Sequence, residues 1–111
     1  MQIERRYPHW PVVWEMLYGN ETFVAKGTVV EITGPRWRAE GPMSVRPGMR
    51  VNVWVRPPEK PEGLHVGEAA VLWVNGYAFG LYVQKMDPMG QEWMTNFLDQ
   101  ATGCWFSPRA A

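Results

Sequence analysis

The chain holds a single cysteine, Cys104, and only two histidines, His9 and His65. One thiol excludes an intrachain disulfide and a cysteine-based zinc site, and it suits a reducing, cytoplasmic setting. Two isolated histidines, with no G-x-S-x-G, H-E-x-x-H or G-x-x-x-x-G-K signature and no paired carboxylates, leave little for catalysis. A non-enzyme without metal or resident cofactor is expected. The ~18 uninterrupted apolar residues of a membrane span are missing, and MQIERRYPHWPVVW has no apolar run of signal-peptide length, so membrane insertion is not expected. An excess of either charge is missing too: 11 Lys plus Arg meet 11 Asp plus Glu. Bulk binding to nucleic acid or an anionic membrane favours a basic excess, so the balance counts against both.

What charge there is lies unevenly. Residues 1–57 hold eight basic and five acidic side chains, and residues 58–111 hold three and six, so an anionic ligand would be sought in the first half. At 111 residues the chain is long enough for one core and too short for two. Seven Trp and ten Pro, set among short alternating runs, suggest a compact β domain with many turns.

The stretch GEAAVLWVNGYAFGLYVQKM, residues 67–86, reads as two strands joined at Asn75-Gly76, because both central residues of a type I′ turn need positive φ. Before the turn, Ala69, Val71 and Trp73 share one face and Ala70, Leu72 and Val74 the other. After it, Phe79, Leu81 and Val83 alternate with Gly80, Tyr82 and Gln84. A strand apolar on both faces implies cover on both, so an element is expected outside this hairpin. Ahead of it, residues 11–18 form a short strand ended by Gly19-Asn20. Residues 22–33 form a second, with a bulge expected at or beside Gly27. Gly34-Pro35 and Gly41-Pro42 bracket a strand over 36–40, and Pro47-Gly48 and Pro57-Pro58 bracket one over 49–56. After the hairpin, Asp87 and Pro88 signal a helix start. Met89, Trp93, Met94, Phe97, Leu98 and Ala101 then recur at helical spacing until Gly103. This helix is expected to cover the hairpin's outer face. The tail Cys104-Trp105-Phe106 is apolar enough to fold back or meet a partner.

The arginine-bearing arm ERRYPHW, the acid-x-hydroxyl turn at Glu31–Arg36, the strand VRPGMRVNVWVRPP and the hairpin AAVLWVNGYAFGLYV together resemble the PilZ domain over about Glu4–Gln100. The resemblance implies a mostly β fold, a six-stranded antiparallel β-barrel with a C-terminal α-helix. It divides a single domain, 1–111, into an arm (1–10), barrel (11–86), helix (88–102) and tail (103–111). It also implies cyclic di-GMP as a ligand, held in that family by R-x-x-x-R on the arm and D/N-x-S-x-x-G after the second long strand. Arg5 matches the first arginine, but His9 stands where the second would be, and counting from Arg6 puts Trp10 there. The second motif is Glu31-Ile32-Thr33-Gly34-Pro35-Arg36, with Glu for Asp, Thr for Ser and Arg for the last Gly.

Each departure has a physical cost. Thr33 keeps the hydroxyl; Glu31 keeps the carboxylate but moves it out by a methylene; Arg36 is strained if its backbone must take positive φ. An imidazole, mostly neutral at neutral pH, is a poor substitute for a guanidinium on phosphate. One lost charge-assisted contact, at roughly 1.5–3 kcal/mol, weakens binding by ten- to a hundredfold or more. Arg5, Arg6, Arg36 and Arg38 could supply charge from new positions, while Arg36 and Arg38 also read simply as solvated side chains flanking Trp37.

Three functions follow. The first is a PilZ-like signalling adaptor with weakened or lost nucleotide binding, docking a protein of a motility or type IV pilus system through Trp93, Phe97, Trp105 and Phe106. The second is a cyclic di-GMP receptor whose variant site uses Arg5, Arg6, His9, Glu31, Thr33 and Arg36. The third is a small β-barrel that stacks single-stranded nucleic acid on aromatic side chains, against which the neutral charge counts.

Overall fold

The computed structural model describes residues 9–102, with side chains over 9–97. Six strands, β1 (Trp10–Gly19), β2 (Val24–Thr33), β3 (Arg36–Glu40), β4 (Arg50–Arg56), β5 (Leu64–Asn75) and β6 (Ala78–Met86), precede one helix, α1 (Pro88–Thr102). They close into an antiparallel barrel in the order β1-β2-β3-β6-β5-β4. Closure follows from alternation. Trp14, Met16 and Tyr18 of β1, Trp37 and Ala39 of β3, Val51, Val53 and Val55 of β4, and Phe79, Leu81 and Val83 of β6 all point inward and are buried. The alternate positions face outward, as in β3, where Arg36, Arg38 and Glu40 are exposed.

Both ends of the barrel are closed. At the end where β1 starts and β6 finishes, α1 lies across the opening, with Met94 fully buried. Trp93 and Phe97 stack on each other at 5.3 Å and meet the Trp14 ring edge-on at 6.1 and 5.6 Å. Asp87 occupies the cap position: its carbonyl accepts from the Gln91 N–H at 2.8 Å, while its carboxylate turns to His65 Nδ1 at 3.3 Å. At the opposite end the loop from β3 to β4 folds over the core, burying Val45. The Tyr18 hydroxyl pins this loop, donating to the Met43 carbonyl and accepting from the Met43 N–H, each at 3.1 Å.

Several local expectations change. The second strand is straight at Gly27. Its register slips instead at Val30 against β3, and at Val12 and Val13 of β1. Gly27 serves close approach, since a Cβ there would sit 2.5 Å from the Glu40 carbonyl oxygen. The hairpin loop is Gly76-Tyr77, flanked by the Asn75–Ala78 pair, with Gly76 at φ 66°. Leu72 is an extra residue between the Val71–Leu81 and Trp73–Gly80 pairs, so Trp73 turns outward rather than joining Ala69 and Val71 inside. The hairpin's outer face is not covered by α1, which sits on the barrel end. It stays open to solvent, with the Trp73 indole lying on Gly80, whose missing Cβ leaves room for the ring. Met89, expected on the packed stripe of α1, is 79% exposed. Among the described residues no helix is long and apolar enough to cross a membrane.

Candidate functional site

The register of β1 on β2 builds the site. Pairing Trp10 with Ile32 and Pro11 with Glu31 carries His9 alongside the end of β2. There His9 Nδ1 lies 3.1 Å from Glu31 Oε2 and 3.1 Å from Thr33 Oγ1. An ionised carboxylate only accepts, so the bond to Glu31 requires the proton on Nδ1, and the Thr33 oxygen then shares that N–H as a second acceptor. The cluster is solvent-facing, with the His9 side chain 72% exposed, and such a pair adds about 0–1 kcal/mol to stability. The Glu31 carboxylate and the Thr33 hydroxyl are thus both turned toward the imidazole.

The turn after Thr33 is rigidly held. Thr33 pairs with Arg36 across Gly34-Pro35, and the positive φ, 58°, falls on Gly34. Arg36 therefore begins β3 in extended geometry and carries no such strain. The Trp37 indole N–H donates to the Gly34 carbonyl at 3.2 Å, and the Val83 N–H donates to the Pro35 carbonyl at 2.9 Å. These bonds anchor the turn to the core on one side and to β6 on the other. Arg36 and Arg38 project outward from β3, and among the described residues neither makes an ion pair. Beside the cluster an apolar groove of about 560 Å³ runs between Trp10, Val12 and Trp14 of β1, Pro58 and Phe97.

Of the residues singled out in the sequence, His9, Glu31 and Thr33 come together and Arg36 stands across the turn from them. Trp93 and Phe97 pack half-buried against Trp14 at the same end of the barrel. Arg5, Arg6, Trp105 and Phe106 lie outside the described residues. Among those described, no group of three or more His, Cys, Asp or Glu could hold a metal ion.

Among solved structures, the chain matches that of the Bacillus subtilis inhibitor of motility (MotI/DgrA). The TM-score is 0.69 at 13% identity, covering 91% of this chain and 52% of that one. The fold is PilZ-like. The chain thus spans about half the length of that motility inhibitor. No protein-family profile matches the sequence, and no curated protein does.

On this barrel the outward side of the β5–β6 hairpin carries exposed aromatic side chains that no motif in the sequence marks. Trp73 is 40% exposed there, with Leu72 and Tyr82 exposed beside it. Its signal in the sequence is a strand apolar on both faces, a pattern that implies cover, whereas the structure leaves this side open.

Proposed function

We propose that this chain is a non-enzymatic PilZ-type signalling module of the bacterial cytoplasm that acts by binding a protein of a motility system, its cyclic di-GMP site weakened or lost. One observation carries the reading. The position of the second arm arginine is held by His9, and that imidazole engages Glu31 and Thr33, the two groups left to recognise a guanine edge. A dianion arriving there would find an imidazole in place of a guanidinium. It would also have to displace hydrogen bonds already made. The PilZ-like fold and the likeness to an inhibitor of motility support a signalling role over catalysis.

A second reading, a cyclic di-GMP receptor with a variant site, draws on Arg36 and Arg38. Both are unpaired among the described residues, and Arg36 is the cross-strand neighbour of Thr33. Isothermal titration with cyclic di-GMP at moderate salt, with Arg5→Ala/Arg6→Ala as control, separates the two. The adaptor predicts no saturable heat at micromolar ligand, whereas binding that the double variant abolishes establishes the receptor.

A further inference from the structure

The outward side of β6 presents a small, ordered surface that, Arg36 apart, the cyclic di-GMP motifs do not account for. Cross-strand register sets Arg38, Gly80 and Trp73 in one row, and Arg36, Tyr82 and Ala70 in the next. Adjacent strands lie ~4.8 Å apart, so each row is a continuous strip of surface. In the first row the Trp73 indole lies over Gly80, where a Cβ would stand 2.6 Å from its Cε2 and 2.7 Å from its Cδ1. The ring is thus laid flat on the sheet by the absence of a side chain beneath it. Tyr82 follows two residues along the same face, and Leu72 is exposed next to Trp73 at the bulge. Two arginines line the β3 side of these rings, and neither pairs with an acid among the described residues. Glu31, which pairs with Arg38 across the strands, spends its carboxylate on His9.

Pre-ordered aromatic side chains beside uncommitted guanidinium groups are the pattern of an interface anchor. The charge selects the occupant. Two arginines that make no ion pair among the described residues, although Glu31 and Glu40 lie nearby on the sheet, call for carboxylates, and the rings with Leu72 call for an apolar side chain between them. A nucleic-acid strand fits less well: Leu72 offers no stacking surface, two arginines neutralise few phosphates, and the chain as a whole carries no net charge. We infer that this face, Trp73 and Tyr82 bordered by Arg36 and Arg38, docks a protein segment bearing an aromatic or leucine side chain flanked by Asp or Glu. The inference rests on the adaptor reading and gives that reading its surface.

The test is selection of a random peptide library on the purified protein, followed by titration of the synthesised consensus peptide. The expected consensus is an aromatic or Leu residue flanked by acids. Its affinity falls roughly tenfold or more in Trp73→Ser and in Arg36→Glu/Arg38→Glu, and stays unchanged in Leu17→Ser on another face of the barrel. A peptide with its acids replaced by lysine should prefer Arg36→Glu/Arg38→Glu to the parent protein, a rescue that a merely misfolded variant would not give. A consensus without acids, or no enriched sequence, overturns the inference. Acidic peptides lost in Trp93→Ser but kept in Trp73→Ser also overturn it, while leaving the adaptor reading in place. Oligothymidylate binding that Trp73→Ser abolishes assigns the face to nucleic acid and overturns it too. Tight cyclic di-GMP binding that Arg5→Ala/Arg6→Ala abolishes, with no peptide enriched, removes the adaptor reading itself.

Discussion

Replacing Tyr18 by Phe removes one oxygen from a fully buried side chain and unties the loop that closes the far end of the barrel. The ring keeps its packing, 5.1 Å from Phe79 and 5.9 Å from Phe23. What is lost is both hydrogen bonds to Met43, one given and one received at 3.1 Å. Met43 is exposed, so water recovers part of that loss, and the net cost is placed at about 1–2 kcal/mol. For a domain of this size that corresponds to a melting temperature lower by roughly 4–8 °C. The same variant should change the alkaline limb of the stability curve. Burial pushes the Tyr18 phenol above its ordinary value of 10.0, with the Met43 hydrogen bond acting in the opposite direction. The native state therefore holds this proton more tightly than the unfolded chain. The resulting stability is fully present below pH 10.0 and is lost as pH rises through the higher native value. Urea unfolding of the parent and Tyr18→Phe across neutral to alkaline pH measures both effects. Equal stability at neutral pH, or an identical alkaline slope in the two proteins, would refute the reasoning.

Two further substitutions test the frame that holds the site. Gly67→Ala places a methyl group at φ 128° against the Lys85 carbonyl of the neighbouring strand. Strain and backbone displacement together should cost roughly 2–5 kcal/mol by chemical denaturation, and a loss near zero would mean that the pairing beside Gly67, where Val66 is an extra residue between the Val53–Gly67 and Trp54–His65 pairs, relaxes freely. Trp93→Ala removes the ring stacked on Phe97 and edge-on to Trp14, so α1 should loosen from the barrel end. A half-buried indole in such a cluster is worth about 1–3 kcal/mol, and hydrogen exchange in α1 should rise while β4 stays protected.

Much of the frame was legible along the chain because local chemistry dictated it. Pro88 after Asp87 and the 3.6-residue apolar spacing placed α1, and Val51, Val53 and Val55 alternated inward as the pattern required. Turn chemistry at Gly34-Pro35 fixed the ends of β2 and β3. What escaped depends on partners distant in sequence. Nothing local to Leu72 announces that it is an extra residue against β6, yet that single slip turns Trp73 from the core to the surface. The hairpin's two apolar faces were plain, but whether the outer one is covered depends on where α1 docks, and α1 docks on the barrel end. At the site, Glu31, Thr33 and Arg36 were placed on one turn by their spacing. The engagement of His9 with Glu31 and Thr33 follows only from the β1–β2 register across more than twenty residues.

The proposed loss of cyclic di-GMP binding rests on His9 standing where a phosphate-binding arginine would be needed. Titrating cyclic di-GMP into the parent protein and His9→Arg tests this directly, since the variant restores the guanidinium and releases Glu31 and Thr33 from the imidazole. The expected outcome is no measurable binding by the parent at micromolar ligand and a gain of about ten- to a hundredfold or more in the variant. Tight binding by the parent that His9→Arg leaves unchanged or weakens would contradict it.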